Sequence, residues 1–145
     1  IELAYQKAPF FDVHFQPIRD IIMHKHERLH GLNNALLQYL LFALGIKTKI
    51  VMASDYAPAG NKSGLVLDLC RKIGATHYIF GAMGREYANV GEFGKAGITV
   101  SFQDYIHPVY TQMHGDRFVP NLSVIDLLFS HGPRSLEILM DGNAA

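Results

Sequence analysis

A chain of 145 residues, 49% of them apolar and 18% charged, is long enough to bury a core and too apolar to stay disordered. Its 13 basic and 13 acidic residues cancel, which argues against the electrostatic footprint of a nucleic-acid or membrane-surface binder. The longest apolar stretch, residues 35–46, is interrupted by Gln38 and falls short of the roughly 20 residues needed to span a bilayer.

Residues 1–11 carry helical apolar spacing without a cap, and the chain opens at Ile1. Residues upstream are therefore expected to be missing, and part of a site with them. Residues 26–44 place leucines at 29, 32, 36, 37, 40, 41 and 44, the spacing of a core-packing amphipathic helix, and Gly45 supplies a left-handed stop. Residues 49–53 (KIVMA) form a short β-rich run. Asn61 or Ser63 can cap a second helix that buries Leu65, Val66, Leu69, Cys70 and Ile73 and ends at Gly74. Residues 76–80 (THYIF) and 98–102 (ITVSF) predict two further strands. Between them, residues 81–94 are irregular, with room for a helical turn near Arg85–Tyr87.

This alternation predicts an α/β fold: a three-layer open sheet of at least three mainly parallel strands flanked by helices, part of a larger nucleotide-binding-like fold. A single domain over residues 1–141 and a loose tail over 142–145 are expected. Ligands of such sheets bind beyond the carboxyl ends of the strands. Those ends are Ser54 and Asp55, then Gly81–Arg85, then Gln103–His107. Each is polar or glycine-rich, although loops in general are polar.

Gly60, Asn61, Lys62 and Ser63 open a helix, where free N–H groups and Lys62 can hold a phosphate. Capping by Asn61 or Ser63 explains the same residues. The segment is not a P-loop, because Tyr56 stands where the upstream glycine is required. Gly81 and Gly84 would let a ligand approach the backbone, and Arg85 could grip phosphate or carboxylate with two bonds. His26-Glu27-Arg28-Leu29-His30 matches the zinc-protease signature letter for letter. Gly31 weakens the helix at that point, the leucines make it a packing helix, and no metal ligand is assigned. Cys70, the single cysteine, reads as a buried structural thiol among Leu67, Leu69 and Ile73. With no signal-peptide pattern, a reducing, cytoplasmic location is expected.

Residues 103–112 crowd hydrogen-bonding side chains behind a strand, Gln103, Tyr105, His107, Tyr110 and Gln112 among them. Pro108 holds His107 in extended backbone. An imidazole so held can act as an acid or base near neutral pH, or it can brace a long loop. Ser123 reads as an N-cap with Asp126 completing a capping box, and Leu122 and Leu127 stand at staple positions. Gly132 and Pro133 end that helix and start another.

The segments 60–65, 74–78, 97–98, 107–110 (HPVY) and 120–132 (PNLSVIDLLFSHG) together resemble the WbqC-like proteins, in order and spacing from about Tyr5 to Gly132. The resemblance implies a bacterial protein of surface polysaccharide (O-antigen) biosynthesis. It also implies transfer of an acyl or aminoacyl group to a nucleotide-linked amino sugar. The expected partner is that small molecule, not nucleic acid or membrane, with self-association left open and no cofactor assigned. On this reading His107 is the acid–base, Tyr110 and Gln112 orient the substrate, and Lys62 and Arg85 contact phosphate. Ser54, Gly81, Gly84, Gln103 and Tyr105 line the strand ends. A non-catalytic nucleotide- or sugar-binding module is the alternative, and a zinc hydrolase through His26 and His30 the remote one.

Overall fold

The computed structural model describes residues 1–113, 117–141 and 143. In chain order its helices are α1 (Glu2–Tyr5), α2 (Phe11–Met23), α3 (Leu29–Ala43), α4 (Lys62–Ile73), α5 (Val90–Lys95), α6 (Val124–His131) and α7 (Ser135–Met140). Its strands are β1 (His77–Phe80) and β2 (Thr99–Phe102). The chain divides into two compact units, residues 49–105 and residues 1–48 with 106–145.

In the unit of residues 49–105, β1 and β2 pair in parallel with His77 opposite Thr99 and Phe80 opposite Phe102. Alternation along β1 sends Tyr78 and Phe80 to one face. There Phe80 joins Leu67 and Cys70 of α4, Phe93 of α5 and Ile98 in a buried cluster. Phe80 and Phe93 meet edge to face at 5.5 Å between ring centroids, a favoured aromatic geometry. Helix α4 forms on apolar positions spaced three and four apart and stops at Gly74, whose φ of 69° suits glycine. Cys70 is the buried thiol that its apolar neighbours imply, and burial pushes its pKa up.

The expected third strand does not form. Residues 49–52 take no regular structure, and Ala53 begins a 3₁₀ turn, Ala53–Tyr56. Among the described residues the sheet has two strands, so the three-strand sheet reduces to one parallel pair. An apolar run becomes a strand only when another strand accepts its backbone hydrogen bonds. One sheet face stays open: Ile79 is exposed, and His77 Nε2 meets Ser101 Oγ at 2.8 Å across the pair.

In the other unit, Ala8, Phe11, Ile18 and Phe129 form the buried core, with Leu36 and Tyr39 packed partly against it. Helix α2 continues through Pro17, which has no N–H to donate to the helical ladder. Helix α3 begins at Leu29 and has no buried residue. Of the expected leucine stripe, Leu36 packs against the core, joined by Tyr39, while Leu29 and Leu37 are exposed. His14, buried on α2, meets the Tyr39 hydroxyl of α3 at 2.9 Å. The turn after α6 needs Gly132: φ is 50°, and an added Cβ would lie 2.5 Å from the Phe10 ring. Of the expected loose tail, Asn143 is described. Its side chain accepts from the Ile106 N–H at 2.8 Å and donates to the Ile106 carbonyl at 2.7 Å. Residues 142, 144 and 145 lie outside the described residues.

Candidate functional site

Helix α6 opens as its sequence predicts at one point and differs at another. Ser123 Oγ accepts from the Ile125 N–H at 3.4 Å, so Ser123 is the cap. Asp126 does not complete a capping box. Its carboxylate turns inward, is 2% exposed, and accepts two phenol hydrogens. Tyr5 donates to Oδ1 at 3.0 Å and Tyr110 donates to Oδ2 at 2.9 Å. The first turn of a helix stabilises a carboxylate through unsatisfied N–H groups and the helix dipole. Two phenols serve the anion better than one returning bond to the cap would.

Both phenols respond to that environment. Burial, followed by the bond to the Asp126 carboxylate, pushes the Tyr5 pKa up to about 12. Burial also leads for Tyr110, likewise pushed up to about 12, with a bond to Gln112 opposing and Asp126 adding to the rise. Both hydroxyls thus remain protonated near neutrality, as donors and not as bases.

Tyr110 is the centre of an aromatic group. The His107 ring lies stacked at 6.2 Å, the Phe118 ring edge-on at 5.5 Å and the His131 ring edge-on at 5.6 Å. His107 Nδ1 donates to the Pro108 carbonyl at 2.9 Å. Because a carbonyl only accepts, this bond selects the Nδ1–H tautomer and puts the neutral ring's lone pair on Nε2. His131, at the end of α6, donates from Nε2 to the Thr111 carbonyl at 2.9 Å. Gln112 uses its amide on Val119, donating to the carbonyl and accepting from the N–H, each at 2.8 Å. His107, Tyr110 and Gln112 therefore share one loop, fastened from three directions.

The strand-end residues belong to the unit of residues 49–105. The Gln103 N–H donates to the Phe80 carbonyl at 2.7 Å, which carries the pairing past the strands and brings residues 81–85 beside 103–104. Arg85 donates to both Asp104 carboxylate oxygens, at 2.8 and 2.7 Å, and its guanidinium stands 4.9 Å from the Phe102 ring centroid. Arg85 is thus already engaged at the place where a phosphate was expected. Gly84 is glycine for packing: an added Cβ would collide with Phe80. At Gly81 the same atom would meet nothing within 4 Å.

Ser54 lies exposed in the 3₁₀ turn, and Lys62 is exposed at the first position of α4 with a φ of 46°. Asn61 makes no side-chain cap there. Asp68 instead holds the preceding loop, accepting from the Ala59 N–H at 2.8 Å, and that bond leads the lowering of its pKa. Tyr105 is exposed beyond the strand end.

The protease-like signature does not take the required geometry. His26 precedes α3 and donates from Nε2 to the Ile21 carbonyl at 2.7 Å, while His30 lies inside the helix. The two imidazoles therefore do not share one helical face. Among the described residues, no group of three His, Cys, Asp or Glu side chains is placed to hold a metal ion. Among the same residues, no helix is long and apolar enough to cross a membrane.

Tyr5, Asp126 and His131 belong to this cluster of the candidate site and were not among the residues the sequence singled out for it. Asp126 was visible only as a capping residue, and nothing local marks Tyr5.

The comparisons with known proteins come to one family. The model of the WbqC-like protein family matches residues 1–138. An uncharacterized protein, Rv1507c, of Mycobacterium tuberculosis is 33% identical over 96% of this chain, which spans 61% of that protein's length. No solved structure gives a significant match.

Proposed function

This chain belongs to the WbqC-like protein family, and on that footing we propose that it is a transferase of bacterial surface polysaccharide biosynthesis, moving an acyl or aminoacyl group onto a nucleotide-linked amino sugar. The observation that carries the proposal is the Asp126 carboxylate, 2% exposed and held by two phenols, one of which, Tyr110, stacks with the His107 ring. Burying a carboxylate is costly unless every lone pair is served, and a capped helix does not require it. A buried carboxylate served by two phenols within a group of aromatic and imidazole side chains is a candidate working site.

In this reading, His107 Nε2 takes the proton from the sugar amine as its nitrogen attacks the acyl carbonyl. The new C–N bond forms, the bond from that carbon to its carrier breaks, and the carrier leaves with the electron pair. The Tyr110 oxygen, its proton committed to Asp126, accepts a hydrogen bond from the incoming amine and orients it. Gln112 keeps the loop in register through Val119. In the unit of residues 49–105, taken by itself, Arg85, Gly81, Gln103 and Tyr105 are the proposed contacts to a phosphate-bearing ligand. Ser54 and Lys62 are secondary contacts.

Replacing His107 with Ala in the full-length protein tests this. A general base contributes about 100-fold or more to rate, so turnover is expected to fall by at least that factor with the fold retained. Unchanged turnover removes His107 from the chemistry. A non-catalytic sugar- or nucleotide-binding module is the second reading, favoured by the braces that Gln112 and His131 give the same loop.

A further inference from the structure

The Arg85–Asp104 pair stands at the carboxyl ends of both strands. Arg85 follows β1 by five residues and Asp104 follows β2 by two. The two bonds, at 2.8 and 2.7 Å, are the fork geometry by which a guanidinium grips any planar or tetrahedral oxyanion. The guanidinium carbon also lies over the Phe102 ring, 4.9 Å from its centroid, a cation–π distance. Both side chains are open to solvent, 48% exposed for Arg85 and 73% for Asp104.

We propose that Asp104 is a displaceable internal anion: it occupies the oxyanion seat of Arg85 until a phosphate-bearing ligand takes its place. The inference deepens the transferase reading and rests on it for the identity of that ligand, a diphosphate linking nucleoside and sugar. Three observations converge on it. The location is the one where ligands of parallel α/β sheets bind. The open Gly81 leaves room at the backbone beside it. The exposed pair adds little to stability, so its exchange for a more highly charged phosphate costs the fold almost nothing. The carboxylate then keeps the guanidinium aligned when no ligand is present and excludes weakly charged anions, because only a ligand that outcompetes it can bind.

Binding of inorganic pyrophosphate and of uridine diphosphate to the full-length protein tests the proposal, followed by the Arg85 Nε–H signal in nitrogen-edited NMR. Pyrophosphate is expected to shift that signal. Asp104→Asn is expected to tighten pyrophosphate about tenfold by removing the competing charge, and Arg85→Gln to abolish the binding. Equal or weaker affinity in Asp104→Asn, an unmoved Arg85 signal, or no pyrophosphate binding at all overturns it. Nucleotide sugars that bind with neither substitution mattering would end this inference and leave the transferase reading standing. Pyrophosphate gripped by Arg85 without turnover of any nucleotide sugar would do the reverse.

Discussion

The Tyr5 hydroxyl donates to Asp126 Oδ1 at 3.0 Å, across 121 positions of sequence. With Tyr110 on Oδ2, this bond fastens α1 and the 107–112 loop to the first turn of α6. Removing the carboxylate takes away the acceptor to which each of these two phenols donates. Asp126→Ala is expected to cost about 3 kcal/mol and Tyr5→Phe about 2 kcal/mol, since lost charge-assisted bonds run to a few kcal/mol. In urea unfolding, Tyr5→Phe should matter far less in the Asp126→Ala background than alone. Additive costs would show that the two residues do not act together.

The same clamp sets an alkaline limit. Both phenols rise from an ordinary 10.0 to about 12 in the folded chain. A pKa raised by folding contributes stability that is complete below pH 10 and disappears as the pH climbs through about 12. Unfolding free energy should thus fall over that window. The fall should be shallower in Tyr110→Phe, measured as urea midpoints from pH 9 to 11.5.

His14 sets a limit at the other end. Burial holds its pKa below the ordinary 6.5, so folding favours the neutral ring that pairs with Tyr39. Stability is complete above 6.5 and is lost as the pH falls through the lower folded value. His14→Gln, which can still bond the Tyr39 hydroxyl, should flatten the thermal-melting profile between pH 6.5 and 5. An unchanged slope would assign the acid sensitivity to other groups.

Three glycines separate packing from permissiveness. Gly132→Ala places a methyl 2.5 Å from the Phe10 ring at a φ of 50°, and a cost of about 3 kcal/mol is expected from overpacking and backbone strain. Gly84→Ala meets Phe80 and should cost a comparable amount. Gly64, inside α4 with nothing within 4 Å of an added Cβ, should instead gain about 0.5–1 kcal/mol as Ala. Differential scanning calorimetry of the three variants gives the ranking.

Local signals account for what was legible in the chain. Helix α4 with its Gly74 stop, the two β-branched and aromatic strands, and the Ser123 cap are each encoded within a dozen residues and appear where expected, although the buried face of α4 centres on Leu67 and Cys70 and leaves Ile73 exposed. Residues 49–53 carry an equally good strand pattern but find no neighbour to pair with, and pairing is a property of the whole fold. Helix α2 was hidden because Pro17 interrupts its pattern. At the site, His107 and Tyr110 stood out because Pro108 and the crowding of polar residues are local. Asp126 was misread, since a short acidic side chain at the third position of a helix looks the same whether it caps or turns inward. Tyr5 carries no local mark, and its role arises only through contact.

The proposed transferase depends first on holding a nucleotide-linked amino sugar. A thermal-shift series of the full-length protein against nucleotide-linked amino sugars at millimolar concentration measures that directly. A ligand at about 100 times its Kd stabilises the folded chain by about 2.7 kcal/mol, so at least one should raise Tm by roughly 5 °C or more, and the parent nucleotide by less. No shift with any member of the series would contradict the account.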